Sequence, residues 1–453
     1  MTTPTLPQEL IELIIESLAT GEDDNERRKT ALKACALTSW SFFLPARKHR
    51  FAELHLFEDD GEVKFFSRNP RGREKLEMFL QLLVRDPCHA LPGQPLLASH
   101  IRSLVIHLSG IMADFSFFNT LDSALAPILL HFLSNCRLNV KKLLISVPDA
   151  KPYLWESLDK DVKCALLQFS SVTDLNIRHI NALPTEVILN YANIESLSLE
   201  GVTLDDRNII SSAPSSSRGK KKLTGPVLER LSLTRRYCLM RTVWSFETTY
   251  FDLSCLRSLH LSPNHHPEVW VPLQSLPSLR FLSVLDINYE NSSYFLPRQA
   301  DFGLLGGLET LELGGRLGGG PRDAGLLPLS RLKIFNMNEA FTPSSIRTLI
   351  FSILWYVSTP ESEKKHFWPR SGWKTVGNAL SSTRFPNLET VHLNLSFMYG
   401  SDSGPLDPTL AVKHLQMVKK KIHRLFPSIS KETPPQVEIT FTIRPLSAAY
   451  PAA

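Results

Sequence analysis

The chain has 453 residues with 50 basic and 45 acidic side chains, a formal net charge of +5, and 43% of its residues are hydrophobic. Charges this nearly balanced, and mixed along the chain, create no global field for nucleic acid or an anionic membrane, so neither partner is expected. The hydrophobic share is that of a folded protein. The length allows several domains, or a small domain followed by an extended array.

The N-terminal region does not have the pattern of a secretory signal, because Glu9, Glu12 and Glu16 interrupt its first apolar run. No stretch approaches the roughly 18 continuous apolar residues of a membrane span. The six cysteines form no C-x-x-C pair. These features predict a cytoplasmic or nuclear protein with reduced cysteines.

The segment LPQELIELIIESLA, residues 6–19, predicts a first helix. At about 100° per residue, five apolar residues fall on one broad face of it: Leu10, Ile11, Ile14, Ile15 and Leu18. Two further helices are predicted in ALKACALTSW (31–40) and SFFLPARKHRF (41–51), the third beginning at Pro45. Three helices in about fifty residues make a small core. The excess apolar surface therefore favours a permanent partner.

The same residues resemble the F-box domain, in particular the F-box-like form abundant in mushroom-forming fungi. The shared pattern is L-P-x-E-L-I-x-x-I-I-x-x-L, then L-x-x-C-x-L-T-S and L-P-x-R-x-x-x-F. The matching positions are Leu6, Pro7, Glu9, Leu10, Ile11, Ile14, Ile15, Leu18, Leu32, Cys35, Leu37, Thr38, Ser39, Leu44, Pro45, Arg47 and Phe51. The sequence departs from the family at Trp40, where a basic residue usually follows the serine.

The resemblance implies docking on a Skp-family adaptor, which hangs from a cullin scaffold in an SCF-type ubiquitin ligase. The adaptor-contacting surface that it implies comprises Leu6, Pro7, Leu10, Ile14, Leu32, Leu37 and Trp40. Spacing alone leaves an alternative open, in which these residues are the core of a helical cap on whatever follows.

A second pattern, apolar-x-x-apolar-x-apolar, recurs ten times beyond residue 100. The copies are IRSLVI from Ile101, VKKLLI from Val140, VTDLNI from Val172, IESLSL from Ile194, LERLSL from Leu228, LRSLHL from Leu256, LRFLSV from Leu279, LETLEL from Leu308, LKIFNM from Leu332 and LETVHL from Leu388. They begin 22 to 56 residues apart, and the shorter intervals are typical of leucine-rich repeats. Each strand would be buried only against the next unit, which predicts a solenoid. Separate α/β domains would need longer connections.

The predicted fold class is α/β, with a small three-helix F-box module followed by an irregular leucine-rich-repeat-like solenoid. The solenoid is expected to be a curved parallel sheet with helices and loops on its convex side. Four segments are predicted: the helical module in 1–52, a linker strand and helix that cap the array in 53–100, the solenoid in 101–445 and a flexible tail in 446–453.

Smaller features are predicted within these segments. Strands are expected in AELHLF (52–57) and VEITFTI (437–443), as the opening and closing strands of the array. Helices are expected at 73–86 and 408–426. Inserted loops are expected at 211–225, 314–325 and 358–374, because these stretches are rich in serine, glycine or charge.

Motifs for catalysis are missing from the sequence. There is no H-E-x-x-H, no C-x-x-C and no G-x-x-x-x-G-K-[ST], and NHHPE at 264–268 is interpreted as a surface loop. We therefore expect no catalytic residue, no metal, no cofactor and no enzymatic activity in this chain. The favoured hypothesis is a ligase subunit that binds an unknown protein substrate. The alternatives are a leucine-rich-repeat interaction scaffold with no ligase role, or a hydrolase on an α/β sheet, for which no nucleophile and base are found.

Overall fold

A computed structural model describes residues 6–20, 25–56, 97–107, 139–147, 153–158, 160–205, 225–234, 251–261, 276–287, 305–317, 345–357, 373–380, 385–399, 416, 420 and 436–445. The chain divides into two compact units, Met1–Lys221 and Lys222–Ala453. The described residues are α/β, with parallel strands in both units and few helices. None of the helices found among them is long and apolar enough to cross a membrane.

Three helices open the first unit, as the sequence predicts: α1 (Gln8–Thr20), α2 (Asn25–Thr38) and α3 (Trp40–Arg50). The N–H groups of Leu10 and Ile11 donate to the Pro7 carbonyl at 3.1 and 3.2 Å, which fixes the first turn of α1. The three helices enclose a small core of buried residues: Ile11, Ile15, Leu32, Ala36 and Ala46. Each helix contributes to this core, so the three form one module.

The third helix begins earlier than predicted. It starts at Trp40, after Ser39, whose carbonyl accepts hydrogen bonds from the N–H groups of Phe42 and Phe43 at 3.2 and 3.0 Å. Pro45 lies inside the helix, so the prediction that Pro45 begins it is wrong. Proline in a helix interior removes one backbone hydrogen bond, and here the packing of Phe42, Phe43 and Ala46 on the core outweighs that loss.

The first unit continues into five parallel strands: β1 (Glu53–Leu56), β2 (Ser103–His107), β3 (Lys142–Ser146), β5 (Asp174–Arg178) and β8 (Ser196–Glu200), in the order β1-β2-β3-β5-β8. Short strands β4 (Tyr153–Leu154) and β6 (Ile180–Asn181) form one pair, and β7 (Leu183–Pro184) and β9 (Leu204–Asp205) another. The second residue of each of the five strands is a leucine, and these leucines pair directly across the sheet: Leu54, Leu104, Leu143, Leu175 and Leu197.

Seven parallel strands form the second unit: β10 (Arg230–Thr234), β11 (Ser258–Leu261), β12 (Phe281–Ile287), β13 (Thr310–Leu317), β14 (Thr348–Val357), β15 (Thr390–Tyr399) and β16 (Gln436–Pro445), adjacent in that order. One apolar row crosses all seven in register: Leu231, Leu259, Leu282, Leu311, Leu349, Val391 and Val437. A second row, two residues later, runs through Leu233, Leu261, Val284, Leu313, Phe351, Leu393 and Ile439.

The repeated motif marks these strands. In nine of its ten predicted copies, a strand begins at the third residue of the motif. The copy from Leu332 lies outside the described residues, and β14 follows a copy that sequence reading missed, IRTLIF from Ile346. The opening strand, at Glu53–Leu56, and the closing strand, at Gln436–Pro445, are confirmed.

In six described copies, an apolar residue three positions before the motif adds a turn, and this residue is buried in all of them except Leu253. The N–H of the first motif residue donates to the carbonyl of this earlier residue, as from Ile194 to Tyr191 at 3.2 Å and from Leu308 to Leu305 at 2.9 Å. The earlier residues are large and apolar in each case: Phe169, Tyr191, Leu253, Leu276, Leu305 and Phe385. The full unit is therefore an apolar residue, a turn and then the strand motif.

Two left-handed residues terminate neighbouring strands of the first unit. His179 follows β5 with φ 58° and Gly201 follows β8 with φ 62°. The His179 N–H donates to the Glu200 carbonyl at 2.7 Å. A Cβ added to Gly201 would lie 2.7 Å from His179 Nδ1, so both the backbone angle and the space favour glycine there.

The described residues revise the predicted inserts. Strand β13 continues through Gly314–Leu317, so the loop predicted at 314–325 does not begin at 314; Gly314 pairs with Ser352 in the sheet. Helix Trp373–Leu380 takes up the end of the insert predicted at 358–374. The remaining described helices are Leu97–His100, Lys160–Leu166 and Thr185–Leu189, with a 3-10 turn at Trp155–Ser157.

Several predictions lie outside the described residues. These are the helix at 73–86, the tail at 446–453 and, except for residue 225, the loop at 211–225. Of the helix predicted at 408–426, only Gln416 and Lys420 are described, and both are helical.

Candidate functional site

Helices α1 and α2 present a set of exposed apolar side chains, here called the apolar helical face. Its members are Leu6, Leu10, Leu13, Ile14, Leu18 and Leu37. Leu10 is 48% exposed, Ile14 43% and Leu37 79%. Leu10, Ile14 and Leu18 are spaced four apart on α1 and so share one row. Large apolar side chains that lie together on a surface mark an interaction site more often than single ones do.

The apolar helical face is adjacent to the core on the same helix. Ile11 and Ile15 lie one turn apart and are buried, whereas Leu10 and Ile14, each one position earlier, are exposed. Because consecutive helical residues are about 100° apart, these two rows run side by side along α1. The excess apolar surface seen in the sequence is thus divided between the core and solvent.

Charged residues occur on both helices. Glu9, Glu12 and Glu16 are exposed on the side of α1 away from Leu10. On α2, the exposed residues Lys29, Lys33 and Leu37 are spaced four apart and so share one row. The acidic residues of α1 thus lie away from the apolar row, whereas basic residues adjoin Leu37 on α2.

The pKa of His49 depends on residues of both α1 and α3. Burial is the largest cause that lowers the pKa of His49, the neighbouring Lys48 lowers it further, and Glu16 opposes both. Glu16 of α1 is therefore close enough to the end of α3 to act on this imidazole, so the acidic side of α1 lies near the basic end of α3, Arg47–Arg50.

The predicted adaptor-contacting residues do not all lie on this face. Leu6, Pro7, Leu10, Ile14 and Leu37 are exposed. Leu32 is 4% exposed and packs in the three-helix core, so its prediction as a surface contact is corrected. Trp40 is the first residue of α3, and its side chain lies outside the described part of the structure. Sequence reading omitted the exposed Leu13 and Leu18, although spacing had already placed Leu18 beside Ile14.

The second unit presents a different surface. Positions in each motif are numbered here from its first apolar residue. Positions 1, 4 and 6 are buried, as in the motif of β13, where they are Leu308, Leu311 and Leu313. Side chains alternate along a strand, so positions 3, 5 and 7 form the opposite, outward face. Position 5 forms a row across the seven strands, here called row 5: Ser232, His260, Ser283, Glu312, Ile350, His392 and Glu438.

Glu312 lies at the middle of row 5 and bonds to both neighbouring strands. Ser283 Oγ of β12 donates to Glu312 Oε2 at 2.7 Å, and Ser352 Oγ of β14 donates to Glu312 Oε1 at 2.6 Å. Ser283 is fully buried, whereas Glu312 is partly exposed. The two hydroxyls hold the carboxylate in a fixed orientation on a polar part of the face.

Two histidines flank Glu312 in row 5. The His260 ring lies 4.9 Å from the Phe281 ring between centroids. Burial lowers the pKa of His260, and the nearby Glu312 partly opposes this effect. His392 Nδ1 is 3.0 Å from Glu438 Oε2 at the other end of the row.

These contacts do not assemble a catalytic group. Ser283 gives its hydroxyl hydrogen to Glu312 and is itself inaccessible, so it does not act as a nucleophile activated by His260. Within the described ranges, no three histidine, cysteine or acidic side chains are grouped as a metal site would require. The NHHPE segment at 264–268 lies outside those ranges. The arrangement is suited to binding through hydrogen bonds and charge.

Comparison with known proteins gives no family for the chain. No model of a known protein family matches the sequence, and no curated protein matches it either.

Proposed function

We propose that this chain is the substrate-recognition subunit of an SCF-type ubiquitin ligase. The helical module is an F-box-like domain that docks on a Skp-family adaptor, and through it on a cullin. The strands that follow form a leucine-rich-repeat-like solenoid, a curved parallel sheet that binds a protein target. The chain supplies proximity between target and ligase and no reacting group. It acts in the cytoplasm, the nucleus or both.

The observation that carries the proposal is the exposure of five apolar side chains on α1 and α2, and of Leu6 just before α1, while the neighbouring Ile11 and Ile15 are buried. A helix that served only as a cap would bury its apolar residues against its own chain. Burial of one leucine or isoleucine contributes about 1.5 to 3 kcal/mol. Several such residues meet the ordering cost of a standard interface.

The solenoid proposal is supported by the register of the strands. Each described strand of the second unit pairs in parallel with the next copy of the motif, and the apolar positions form continuous rows. Parallel pairing of consecutive units is what stacked repeats produce, because each repeat buries its apolar face only against its neighbours.

Adaptor docking is tested with Leu10→Asp and Ile14→Asp combined in the full chain. A purified Skp-family adaptor should bind the wild-type chain and lose at least tenfold in affinity for the double variant, because two buried apolar contacts are replaced by charges. The affinity is measured by surface plasmon resonance. Far-UV circular dichroism confirms that the variant is folded, as is expected for two exposed positions.

Gln8→Asp is the matched control. It adds a negative charge to the same helix, about 160° around the axis from Leu10, and Gln8 is exposed. Its adaptor affinity should equal that of the wild type. A folded double variant that binds the adaptor as tightly as the wild type rejects the docking proposal. The alternative function, an interaction scaffold without a ligase role, would then be favoured.

A further inference from the structure

We propose that the outward face of the second unit binds a segment of a target protein that carries a lysine or arginine, whose cation is received by the Glu312 carboxylate. The inference deepens the proposed function, on which it rests for the assumption that the sheet presents a target. It concerns a surface other than the apolar helical face, so the experiments that test the two proposals give separate results.

The Glu312 carboxylate of row 5 is bonded by hydroxyl groups and not by a lysine or arginine of that row. The acidic members of row 5 are Glu312 and Glu438, and no lysine or arginine occurs at any of its seven positions. The Glu438 carboxylate lies beside the His392 imidazole. Glu312 has serine hydroxyls as its hydrogen-bond donors instead. A hydroxyl donates without bringing a positive charge, so the charge of Glu312 complements a cation from a partner.

Among the described residues, the arginines that precede the two strands beside β13 are paired with glutamates. At position 2 of the motifs, Arg280 Nη1 lies 2.8 Å from Glu309 Oε1, and Arg347 Nη1 lies 3.6 Å from Glu389 Oε1. Arg230, on β10, is three strands from β13, which strand spacing makes about 14 Å. That exceeds the screening length of about 10 Å at 0.1 M salt.

Along β13 itself, Arg316 follows Glu312 by four residues, a backbone separation of about 13 Å.

His260 does not supply the missing charge. Burial is the larger effect on its pKa and lowers it from 6.5 in spite of Glu312. Its imidazole is therefore neutral near pH 7. With the Phe281 ring, 4.9 Å away, it forms an aromatic pair on β11 and β12, to one side of β13, and aromatic rings attract the flat guanidinium and the ammonium group.

The geometry of the carboxylate suits a ligand that donates two hydrogen bonds. An ionised carboxylate has about four acceptor sites, and the hydroxyls of Ser283 and Ser352 use one on each oxygen. One site per oxygen remains, which matches the fork of an arginine or two donors of a lysine. The fixed orientation reduces the ordering cost of binding.

Position 3 of the motifs adds hydrogen-bonding groups beside row 5. Thr310, Thr348 and Thr390 are paired in register on three consecutive strands and are partly exposed. Their hydroxyls donate and accept, so they are suited to the backbone and polar side chains of an extended segment. The face favours a hydrophilic, basic segment over an apolar one.

The test is selection from a random library of short peptides by the purified full chain, without adaptor, compared between wild type and Glu312→Gln. Peptides retained by the wild type should be enriched in lysine or arginine, and this enrichment should fall at least tenfold in Glu312→Gln. Ser352→Ala should weaken it several-fold, because one oxygen of the carboxylate is then no longer held. Thermal denaturation verifies folding of each variant.

Glu309→Gln is the control, since it removes the same charge from the residue just before β13, at a position paired with Arg280. It should leave the selection unchanged. The proposal is overturned by a wild-type chain that retains no basic peptides, by selection of acidic or phosphorylated peptides, or by equal enrichment in wild type and Glu312→Gln. Adaptor binding is measured separately on the same preparations, so a failure of the ligase proposal remains distinguishable.

Discussion

Gly201 illustrates how one residue sets the geometry of a turn. Its φ of 62° is in the left-handed region, and His179 Nδ1 would lie 2.7 Å from an added Cβ. Left-handed backbone costs an L-residue about 1 to 2 kcal/mol, and the imidazole must also move. Gly201→Ala should therefore lower the free energy of unfolding by about 1 to 3 kcal/mol, measured by urea denaturation followed by circular dichroism.

Gly306→Ala serves as the comparison for that substitution. Gly306 has no atom within 4 Å of an added Cβ and no positive φ. Its replacement should change stability by less than about 0.5 kcal/mol. Equal losses for the two variants would contradict the assignment of strain to Gly201.

At the residue scale, the sequence predicts exposure poorly where two apolar rows adjoin. Leu10, Ile11, Ile14 and Ile15 all fall on one broad face by spacing, yet the core takes only Ile11 and Ile15. Leu32 was assigned to the surface and is in the core. Helical periodicity gives direction around one axis, whereas the positions of α2 and α3 decide which part of that face is covered.

The elements were more predictable than the residues. The strand motif places an apolar residue at positions 4 and 6, and this alternation is enough to predict a strand buried on one side. It does not predict the length of β14 and β15, which run for 10 residues each. Those strands extend beyond the motif because consecutive copies continue to pair, from Thr348 with Thr390 to Val357 with Tyr399.

Strand β14 offers a test of an element that the sequence analysis overlooked. Phe351 is fully buried and pairs with Leu313 on one side and Leu393 on the other. Phe351→Ala should reduce the free energy of unfolding by about 3 to 5 kcal/mol, because a large side chain is removed from a packed row. Chemical denaturation with intrinsic fluorescence as the signal measures the loss.

The adjacent Ile350 gives the matched variant for β14. It belongs to the outward face and is only partly buried. Ile350→Ala should cost about 1 kcal/mol or less. A loss as large as that of Phe351→Ala would mean that the two faces of β14 are not distinguished as the register requires.

The whole molecule combines a predictable sheet with a less predictable binding site. The rows of apolar residues follow from the motif, but the Glu312 contacts do not. Aligning copies of the motif places Ser283 and Glu312 on neighbouring strands. The second hydroxyl, from Ser352, becomes visible only when the copy from Ile346 is recognised as the next strand. The predicted copy from Leu332 would have put other residues beside Glu312.

The proposed role makes a prediction at the scale of the molecule in its cell. Proximity labelling from the full chain should mark a target that accumulates when the proteasome is inhibited, because a delivered target is otherwise degraded. In Leu10→Asp/Ile14→Asp, the labelling of this target should be lost or should no longer increase when the proteasome is inhibited. The reason is that this variant is detached from the ligase. Mass spectrometry quantifies the labelled proteins.

Each outcome of the labelling experiment separates two roles. A target that is labelled equally by wild type and variant, and is unaffected by proteasome inhibition, indicates a scaffold outside the ligase. A target whose abundance responds only in the wild type supports the receptor. Gln8→Asp should behave as the wild type does.

The separation of the sheet into an apolar side and row 5 has a consequence for how such a protein can diverge. The members of row 5 other than Ser283 are partly or fully exposed and contribute nothing to the buried rows at positions 4 and 6. A single substitution at one of these exposed positions therefore alters what the surface prefers while the folding of the chain is largely preserved. Related proteins can therefore acquire different binding preferences through single substitutions in this row, and Glu312 with its two serines is one such arrangement.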